Sequence, residues 1–452
     1  MGKVVVYTGQ AGTGKTYSLI QLLTQILPQR EWLKYEAVLA LTFMHGSRKR
    51  LESNLQFVKN DFKVKCECST IDSFALSVVN RFRSYLNLNK PISVSFNGSD
   101  FESEFEIQLT LDSIHKSTIN LFKYESVKAF ISNTYPYIII DEFQDCSGTL
   151  LEIVKLLTSS IYILIAADPF QELSDTEESE GMKWLLENYF EIIDLDSEGV
   201  KRTKNTRILN TATCLRKGEN IKGEKIYITP AAKALASYFL KTNIYYNLCK
   251  GNIAIISPTM NSNFVKNAID SLSTTYTFKK GSKNEGKTIG PYNNLLGSDN
   301  YAKVEEILKD IPSRPLNKSD LNELKAKNNF VISRCCAKSF KKMSLRNVEE
   351  IPYDDFVYTV NHVIHTYNNF YQNEKKSKLT ITTIKSAKNQ EFDTVIILWP
   401  YEVAGSLLYK RKLLYNAVTR AKINAIIIVQ NKTMELQNLA KDKLFELIID
   451  KK

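Results

Sequence analysis

Cysteine is scarce in this sequence, and long apolar runs are missing. There are seven cysteines in 452 residues, which is an odd number. Their spacing is neither that of a four-ligand zinc site nor that of a disulfide framework. We therefore expect reduced, mostly buried thiols. No apolar run approaches the ~20 residues that cross a bilayer, and no charged-then-apolar leader precedes the first apolar run. The sequence thus predicts a cytoplasmic protein with no membrane contact.

Negative charge is also in deficit. Lys and Arg number 60 against 49 Asp and Glu, which gives a net charge of +11. Such a surplus makes a polyanion a plausible partner, because phosphate neutralisation releases bound counterions. A solvated basic surface without a partner explains the same number equally well. Charge alone therefore leaves both alternatives open.

The strongest local pattern lies near the N-terminus. The β-branched run Val4-Val5-Val6 predicts a buried strand, and a helical pattern begins at Ser18. Between them stands a Gly-x-x-x-x-Gly-Lys-Thr motif, which is typical of a phosphate-binding P-loop because its backbone N–H groups and lysine face phosphate oxygens. The predicted nucleotide-binding residues here are Gly9, Gln10, Ala11, Gly12, Thr13, Gly14, Lys15 and Thr16.

Acidic residues follow a second buried strand. The run Tyr137–Ile140 leads directly into Asp141 and Glu142, the Walker B arrangement. We expect Asp141 and the Thr16 hydroxyl to ligate Mg²⁺, and Glu142 to orient or deprotonate the attacking water. A further predicted strand, 161–166, ends near Gln171, which is placed to sense the γ-phosphate.

The order of strands and helices predicts an α/β protein with two nucleotide-binding cores. Predicted strands of the later core include 225–229, 253–257, 379–384, 395–398 and 425–429, with helices at 413–422 and 434–449. The β/α pattern degrades in two places, which we interpret as inserted accessory regions, the first of them helical over 101–130. The predicted division is 1–79 with 134–204 for the first core, 205–273 with 379–452 for the second, and 80–133 and 274–378 for the insertions.

These motifs, in this order, resemble the UvrD/Rep-type superfamily 1 DNA helicases. The matching segments are Gly9–Thr16, Ala40–Phe43, Thr70–Phe74, Asp141–Asp145, Asp168–Gln171, Asn205–Arg207, Thr383–Phe392 and Val418–Ala421. The resemblance covers nearly the whole chain apart from the insertions. It implies two RecA-like parallel-sheet cores with ATP held between them.

The resemblance also implies roles for residues outside the P-loop. Arg207 and Arg420 match two arginines that contact the γ-phosphate, and Glu391 matches a glutamate near the nucleotide. The residues that match nucleic-acid contacts are Thr42, Phe43, Thr70, Asp72, Thr383 and Ser386. This chain departs from the family pattern in carrying Thr206 for an aromatic residue, Lys385 for a histidine and Asn389 for a glycine.

The sequence therefore predicts an ATP- and Mg²⁺-dependent motor that moves on single-stranded DNA and unwinds partly duplex DNA. One alternative is a nucleotide-dependent DNA sensor that serves a protein partner such as a nuclease in a defence complex, without processive unwinding. A P-loop kinase or GTPase is a third interpretation. It explains the first 170 residues but gives no reason for the Arg207 and Arg420 motifs.

Overall fold

The computed structural model describes residues 3–431 and Leu444, except 44, 96–97, 103–105, 174, 176–178, 189, 222–224, 230–232, 278–287, 293–310, 313, 327–329, 371–377 and 402. The helix predicted at 434–449 and much of the insertion predicted at 274–378 lie outside these residues. The described chain separates into two compact units: residues 3–272, 276–289 and 381 onward form the first, and Ser273–Thr275 with Gly290–Thr380 form the second.

The first core is built on a six-stranded sheet with strand order β3-β2-β7-β8-β1-β9. Its strands are β1 (Val4–Thr8), β2 (Ala37–Thr42), β3 (Lys65–Thr70), β7 (Tyr137–Ile140), β8 (Tyr162–Ala167) and β9 (Glu191–Asp194). All neighbouring pairs are parallel. Because parallel strands place their carboxyl ends on one edge, the P-loop, Thr42, Thr70 and the acidic turn after β7 meet there.

Helices cover both faces of this sheet. They are α1 (Lys15–Ile26), α2 (His45–Asn54), α3 (Gln56–Phe62), α4 (Ile71–Phe82), α7 (Gly148–Leu157) and α8 (Glu180–Glu187). The apolar strand residues Val5 and Ile139 pack on one side and Val6 and Ile140 on the other. Burial on both faces explains why these strands read as continuous apolar runs. Strand β9 was missed because it is short and mostly exposed.

The region after α4 forms a small sheet rather than helix alone. Strands β4 (Ile92–Val94), β5 (Phe101–Glu102) and β6 (Ile107–Leu109) pair in the order β4-β6-β5. Helices α5 (Leu111–Leu121) and α6 (Glu125–Thr134) follow. The prediction of helix across 101–130 was therefore wrong for the two strands Phe101–Glu102 and Ile107–Leu109, since buried Ile107 pairs with buried Ile92 of β4.

The second core has a five-stranded sheet with the order β10-β18-β17-β11-β16. Its strands are β10 (Lys225–Thr229), β11 (Ile253–Ser257), β16 (Leu379–Thr383), β17 (Phe392–Trp399) and β18 (Ala421–Gln430), and its helices are α9 (Thr206–Lys217), α10 (Lys233–Asn247), α11 (Asn263–Asp270) and α15 (Leu407–Val418). Helix α15 begins earlier than predicted because the Ser406 hydroxyl accepts a hydrogen bond from the Tyr409 N–H and caps it. Short strands β12 (Tyr276–Thr277) and β13 (Thr288–Ile289) pair with each other. Together the two sheets give the two RecA-like cores that the motif order implies.

The second unit has its own apolar core. It contains β14 (Leu316–Asn317) paired antiparallel with β15 (Glu350–Ile351), and helices α12 (Lys318–Ala326), α13 (Phe330–Arg346) and α14 (Tyr353–Phe370). Cys335 and Cys336 are buried among Leu321, Met343 and Phe356. Burial raises the pKa of the Cys335 thiol to about 12, as expected for an inert, reduced cysteine. The domain boundaries predicted from the sequence stay predictions.

Within the described ranges, no helix combines the length and apolarity that a membrane crossing requires.

Trp399 anchors the second core, because its side chain at the end of β17 is fully buried. We expect Trp399→Ala to destabilise this core by about 3–5 kcal/mol, since it removes a large buried ring and leaves a cavity. Leu407→Ala, at a side chain that is 40% exposed, is the control and should change stability by no more than about 0.5 kcal/mol. Urea unfolding followed by circular dichroism measures both, and equal midpoints would contradict the assignment.

Candidate functional site

The P-loop links β1 to α1 as the sequence predicts. Gly12 and Gly14 have φ angles of +85° and +99°, a left-handed conformation that favours glycine. Lys15 Nζ donates hydrogen bonds to the carbonyl oxygens of Gly9 at 2.8 Å and Gln10 at 2.9 Å. Burial lowers the pKa of Lys15. The lysine therefore lies inside the loop, as phosphate binding requires.

The predicted magnesium ligands lie side by side. The Thr16 hydroxyl donates to Asp141 Oδ2 at 3.1 Å, so the end of β7 faces the start of α1. A hydroxyl and a carboxylate are hard oxygen donors, and Mg²⁺ usually takes one or two such protein ligands beside phosphate and water. The residues present fit this ion.

Glu142 lies in an unusual backbone conformation next to Asp141. Its φ is +62°, which is uncommon for a residue with a Cβ. Residues in such conformations are often found at functional sites. Gln144 Nε2 donates to Glu142 Oε2 at 2.6 Å, and Arg50 Nη2 lies 3.5 Å from both Glu142 Oε1 and Asp141 Oδ2. One guanidinium and one amide thus contact a buried pair of carboxylates.

The pKa values of Asp141 and Glu142 shift in opposite directions. Burial, followed by the charge of Glu142, raises the pKa of Asp141. Burial alone would also raise the pKa of Glu142, but the positive charges of Arg50, Lys388 and Lys15 outweigh it and lower this pKa to about 2. Glu142 is therefore ionised at every physiological pH.

Gln171 and Asp168 connect the first core to the second. Gln171 Nε2 donates to Asp168 Oδ2 at 2.9 Å, and the same carboxylate oxygen accepts from the Tyr415 hydroxyl at 2.9 Å. The Tyr415 hydroxyl in turn accepts the Ala11 N–H at 2.8 Å. Arg216 Nη1 donates to the other oxygen of Asp168 at 2.9 Å. Helices α9 and α15 are thereby tied to the P-loop and to the end of β8.

Arg420 lies at this junction and is only 2% exposed. Its Nη2 donates to Gln171 Oε1 at 3.2 Å, and its Nε donates to the Asn416 carbonyl at 3.0 Å. In the part of the chain that the structure describes, all its hydrogen bonds go to neutral oxygens. Burial, with the charges of Arg202 and Arg50, lowers its pKa to about 10. A buried guanidinium held by neutral acceptors is costly unless an anion joins it.

Arg202, rather than the predicted Arg207, approaches the P-loop. A side-chain carbon built on Gly12 would lie 2.6 Å from Arg202 Cβ, and Arg202 Nη1 donates to the Thr419 carbonyl at 3.2 Å. Arg207 is exposed in the first turn of α9, where its backbone N–H is capped by the Asn205 side chain. The structure brings together Arg202 and Arg420, and among the described residues it shows no side-chain partner for Arg207.

Glu391 fixes the orientation of Arg202. Its Oε1 lies 2.9 Å from Arg202 Nε, and its Oε2 lies 3.1 Å from Lys422 Nζ. Burial would raise the pKa of Glu391, but the charges of Arg202, Lys422 and Arg50 lower it. Glu391 thus holds an arginine beside the P-loop, and its predicted place near the nucleotide stays a prediction.

The predicted nucleic-acid residues lie at the carboxyl edges of the two sheets. Thr42 is opposite Thr70 in the β2–β3 register. The hydroxyl of Thr70 accepts the Ser73 N–H at 3.1 Å and caps α4, and Thr383 accepts the Ser386 N–H at 3.1 Å in the same way. Phe43 packs partly against the core, and Asp72 Oδ1 lies 2.8 Å from His115 Nε2. Their role in nucleic-acid binding stays a prediction.

Several residues of the site were missed by sequence reasoning. They are Arg50, Asp168, Asp196, Arg202, Arg216, Lys388, Tyr415 and Lys422. Lys388 forms an ion pair with Asp145 across the cleft. Two sequence features could have pointed to some of them. One is the basic run that ends at Arg50, and the other is Arg202, which stands just ahead of the Asn205 motif. Asn389, which replaces a glycine, has a φ of +68°, a conformation that asparagine tolerates better than most residues.

This arrangement defines a class of protein. Two parallel-sheet cores close on a P-loop, and an acidic pair lies beside it. The buried Arg420 comes from the second core, and the half-buried Arg202 comes from the segment that joins the two cores. The chain is a two-core P-loop NTPase.

Comparisons with known proteins narrow the class. Residues 1–177 match the family model of an AAA domain, and residues 378–428 match that of the UvrD-like helicase C-terminal domain. No curated protein matches the chain. One similar solved structure is described as "Structural Basis for DNA Unwinding at Forked dsDNA by two coordinating Pif1 helicases", with 11% identity, a TM-score of 0.36, and coverage of 99% of this chain and 90% of that one.

The two family matches cover the P-loop half and the segment that carries Glu391 and Arg420. The chain thus joins a segment similar to an AAA domain with one similar to the UvrD-like helicase C-terminal domain, and these matches support an ATP-hydrolysing DNA helicase of the UvrD-like class.

Mutation can distinguish the roles of Arg202 and Arg207 in ATP hydrolysis. We expect Arg202→Ala to lower the rate of ATP hydrolysis on the order of 10²-fold or more, because a cation beside the phosphates stabilises charge that develops in the transition state. Arg207→Ala, five residues away on the exposed side, should stay within about twofold of the parent. Steady-state hydrolysis with single-stranded DNA measures both. A larger loss for Arg207→Ala would reverse the assignment.

Proposed function

We propose that the chain hydrolyses ATP in the cleft between its two cores and uses the resulting closure and opening to move along single-stranded DNA and separate duplex. The observation that carries this proposal is Arg420, a buried guanidinium that contacts Gln171 across the cleft and lacks an anionic hydrogen-bond partner among the described residues. The γ-phosphate of ATP supplies that anion. Binding ATP then favours the closed cleft, because both cores contact the same phosphate.

The residues of the site take distinct roles in this proposal. The P-loop N–H groups and Lys15 hold the phosphates. Glu142, ionised and fixed by Gln144, accepts a hydrogen bond from the attacking water and orients it, since a carboxylate of such low pKa is a weak base. Arg420 and Arg202 lie where negative charge increases during phosphoryl transfer, and stabilise it.

Magnesium fits the same site. Thr16 and Asp141 are the residues that would hold it. When bound, Mg²⁺ neutralises charge on the β- and γ-phosphates. The raised pKa of Asp141 reflects a buried carboxylate beside Glu142, and a divalent cation favours its ionised form.

The segment 383–392 supports a link between nucleotide and DNA. It begins at Thr383 and Ser386 on the carboxyl edge of the second sheet, where we propose that DNA phosphates bind, together with the Thr42 and Thr70 edge of the first. Lys388, in the same segment, forms an ion pair with Asp145, which lies beside the Walker B carboxylates. The segment ends at Glu391, which holds Arg202. A shift of one end is therefore transmitted to the other.

A protein partner such as a nuclease stays a prediction, as does a cytoplasmic location. The sensor alternative differs from the motor in one measurable respect. Strand displacement by the isolated chain on a forked substrate supports the motor, whereas ATP-dependent DNA binding without displacement favours the sensor.

The motor proposal makes a direct prediction for hydrolysis. Lys15→Ala and Arg420→Ala should each lower single-strand-stimulated ATP turnover by at least about 10²-fold, since each removes a cation from the phosphates. Turnover is measured with ATP and GTP, without nucleic acid and with single-stranded DNA, duplex or RNA. Lys34→Ala, at an exposed lysine outside every motif, is the control. Parent-like turnover in the first two variants would refute the proposal.

The low pKa of Glu142 predicts how activity depends on pH. Because its folded pKa is about 2, Glu142 stays ionised from about pH 5 to about pH 8 and adds no acidic limb to the rate profile there. Glu142→Gln should lower hydrolysis by about 10²–10⁴-fold while fluorescent-nucleotide binding persists. Glu187→Gln on α8 is the matched control. An acidic limb in the parent that vanishes in Glu142→Gln would show that Glu142 acts as a titrating base instead.

A further inference from the structure

One guanidinium, that of Arg50, contacts carboxylates of both cores. Its Nη2 atom lies 3.5 Å from Asp141 Oδ2 and 3.5 Å from Glu142 Oε1. Its Nη1 atom lies 4.0 Å from Glu391 Oε1. Asp141 and Glu142 follow β7 of the first core, whereas Glu391 stands directly before β17 of the second. Arg50 belongs to α2, outside the segments that match the helicase motifs, so its contacts do not follow from the motif pattern.

The backbone of Arg50 is fixed, but its side chain can move. Leu51 and Leu55 on the same helix are fully buried and pack in one core with Val5 and Ile139. The side chain of Arg50 is 30% exposed, and its distances of 3.5 Å and 4.0 Å to carboxylate oxygens are longer than the ~2.9 Å typical of N–H···O hydrogen bonds. The guanidinium can therefore move between these carboxylates while α2 stays in place.

Arg50 contacts the same oxygen as the proposed magnesium ligand Thr16. Asp141 Oδ2 accepts the Thr16 hydroxyl at 3.1 Å and lies 3.5 Å from Arg50 Nη2. The Asp141 side chain is only 3% exposed, so water solvates its charge poorly and a neighbouring positive charge stabilises it. Two cations that share one buried carboxylate repel each other. Arg50 and a divalent cation therefore compete for Asp141.

The other acceptor of Arg50 is the carboxylate that holds Arg202. Glu391 Oε1 lies 2.9 Å from Arg202 Nε and 4.0 Å from Arg50 Nη1. A closer approach of Arg50 weakens the ion pair of Arg202, because both donors then use the lone pairs of one oxygen and their like charges repel. Arg202 lies against the P-loop, since a side-chain carbon built on Gly12 would be 2.6 Å from its Cβ. An Arg202 side chain that leaves Glu391 is thus already beside the phosphate site.

We propose that Arg50 couples metal binding to the position of Arg202. While no divalent cation is bound, Arg50 neutralises Asp141 and Glu142, and Glu391 holds Arg202. Once a divalent cation is bound at Asp141, the Arg50 side chain turns to Glu391, and Arg202 is freed to contact the phosphates. Arg50 is a positioning residue that acts through Glu391. The inference rests on the proposed function and deepens it, because it makes the arginine contact depend on the metal.

The first test measures metal binding to the full chain without nucleotide. Mn²⁺ is the probe, and the electron paramagnetic resonance signal of free Mn²⁺ reports how much is bound. Arg50→Gln should bind Mn²⁺ about three- to tenfold more tightly than the parent, because it removes a competing positive charge. Lys49→Gln, at the exposed neighbour on the same helix, should stay within about twofold of the parent, since solvent screens an exposed charge. Unchanged or weaker Mn²⁺ binding by Arg50→Gln would overturn the proposal.

Thermal unfolding distinguishes this role from a purely structural one. In EDTA, Arg50→Gln should unfold at a lower temperature than the parent, because a buried pair of carboxylates has lost a cation. Added Mn²⁺ should restore most of the difference, since the metal binds the folded state and supplies the missing charge. An equal loss of stability with and without Mn²⁺ would show that Arg50 only supports the fold.

A double-mutant cycle tests the connection to Arg202. With saturating Mg²⁺, ATP and single-stranded DNA, Arg50→Gln should lower kcat about fivefold or more, because Glu391 then retains an arginine that stabilises the transition state. In the Glu391→Gln background, the same change should alter kcat by less than about twofold, because the acceptor through which Arg50 acts is gone. Equal effects of Arg50→Gln in both backgrounds would overturn the coupling.

Failure of this inference can be distinguished from failure of the proposed function. The Mn²⁺ titration needs neither ATP nor DNA. A parent chain without ATP turnover would therefore refute the proposed function, and the titration would still decide whether Arg50 competes with the metal. Single-strand-stimulated turnover in the parent, combined with parent-like Mn²⁺ binding in Arg50→Gln, would overturn the inference and leave the motor proposal intact.

Discussion

The structure depends on the hydrogen bond by which Arg420 reaches Gln171 across the cleft. Arg420 is buried, and in the described residues its acceptors are neutral oxygens of Gln171, Asn416 and Thr419. Burying a charge without an opposite charge is unfavourable. The unfavourable free energy gives the site its affinity for an anion, and because the arginine and its acceptor belong to different cores, an anion bound there also affects how the cores meet.

Around this contact, the cations and carboxylates are held in fixed pairs. Asp168 accepts from Tyr415 and Arg216, and Glu391 holds Arg202 and Lys422. Such pairs are pre-organised, so little rearrangement is needed when phosphate charge develops. Each pair also joins elements distant in sequence. The same residues that surround the site therefore also connect the two cores, as the proposed motor requires.

Much of the fold follows from local pattern. The apolar runs of β1, β2, β7 and β8 are buried on both faces, so they are easily recognised, and the P-loop and acidic turn follow strand ends. Strand β9 and the small sheet of β4 to β6 were not recognised. Their strands are two to four residues long and partly exposed, and such segments pair only because neighbouring elements already offer an edge.

The sequence by itself determined the two-core α/β architecture, the P-loop and the Walker B pair, because these chemistries depend on residues adjacent in the chain. The tertiary structure alone decided which distant side chains complete the site. It placed Arg202 rather than Arg207 against Gly12, gave Glu391 an arginine to orient, and added Arg50, Tyr415 and Arg216. The physical reason is that a charge acts through distance and burial, and neither quantity is fixed until helices α9 and α15 pack against the first core.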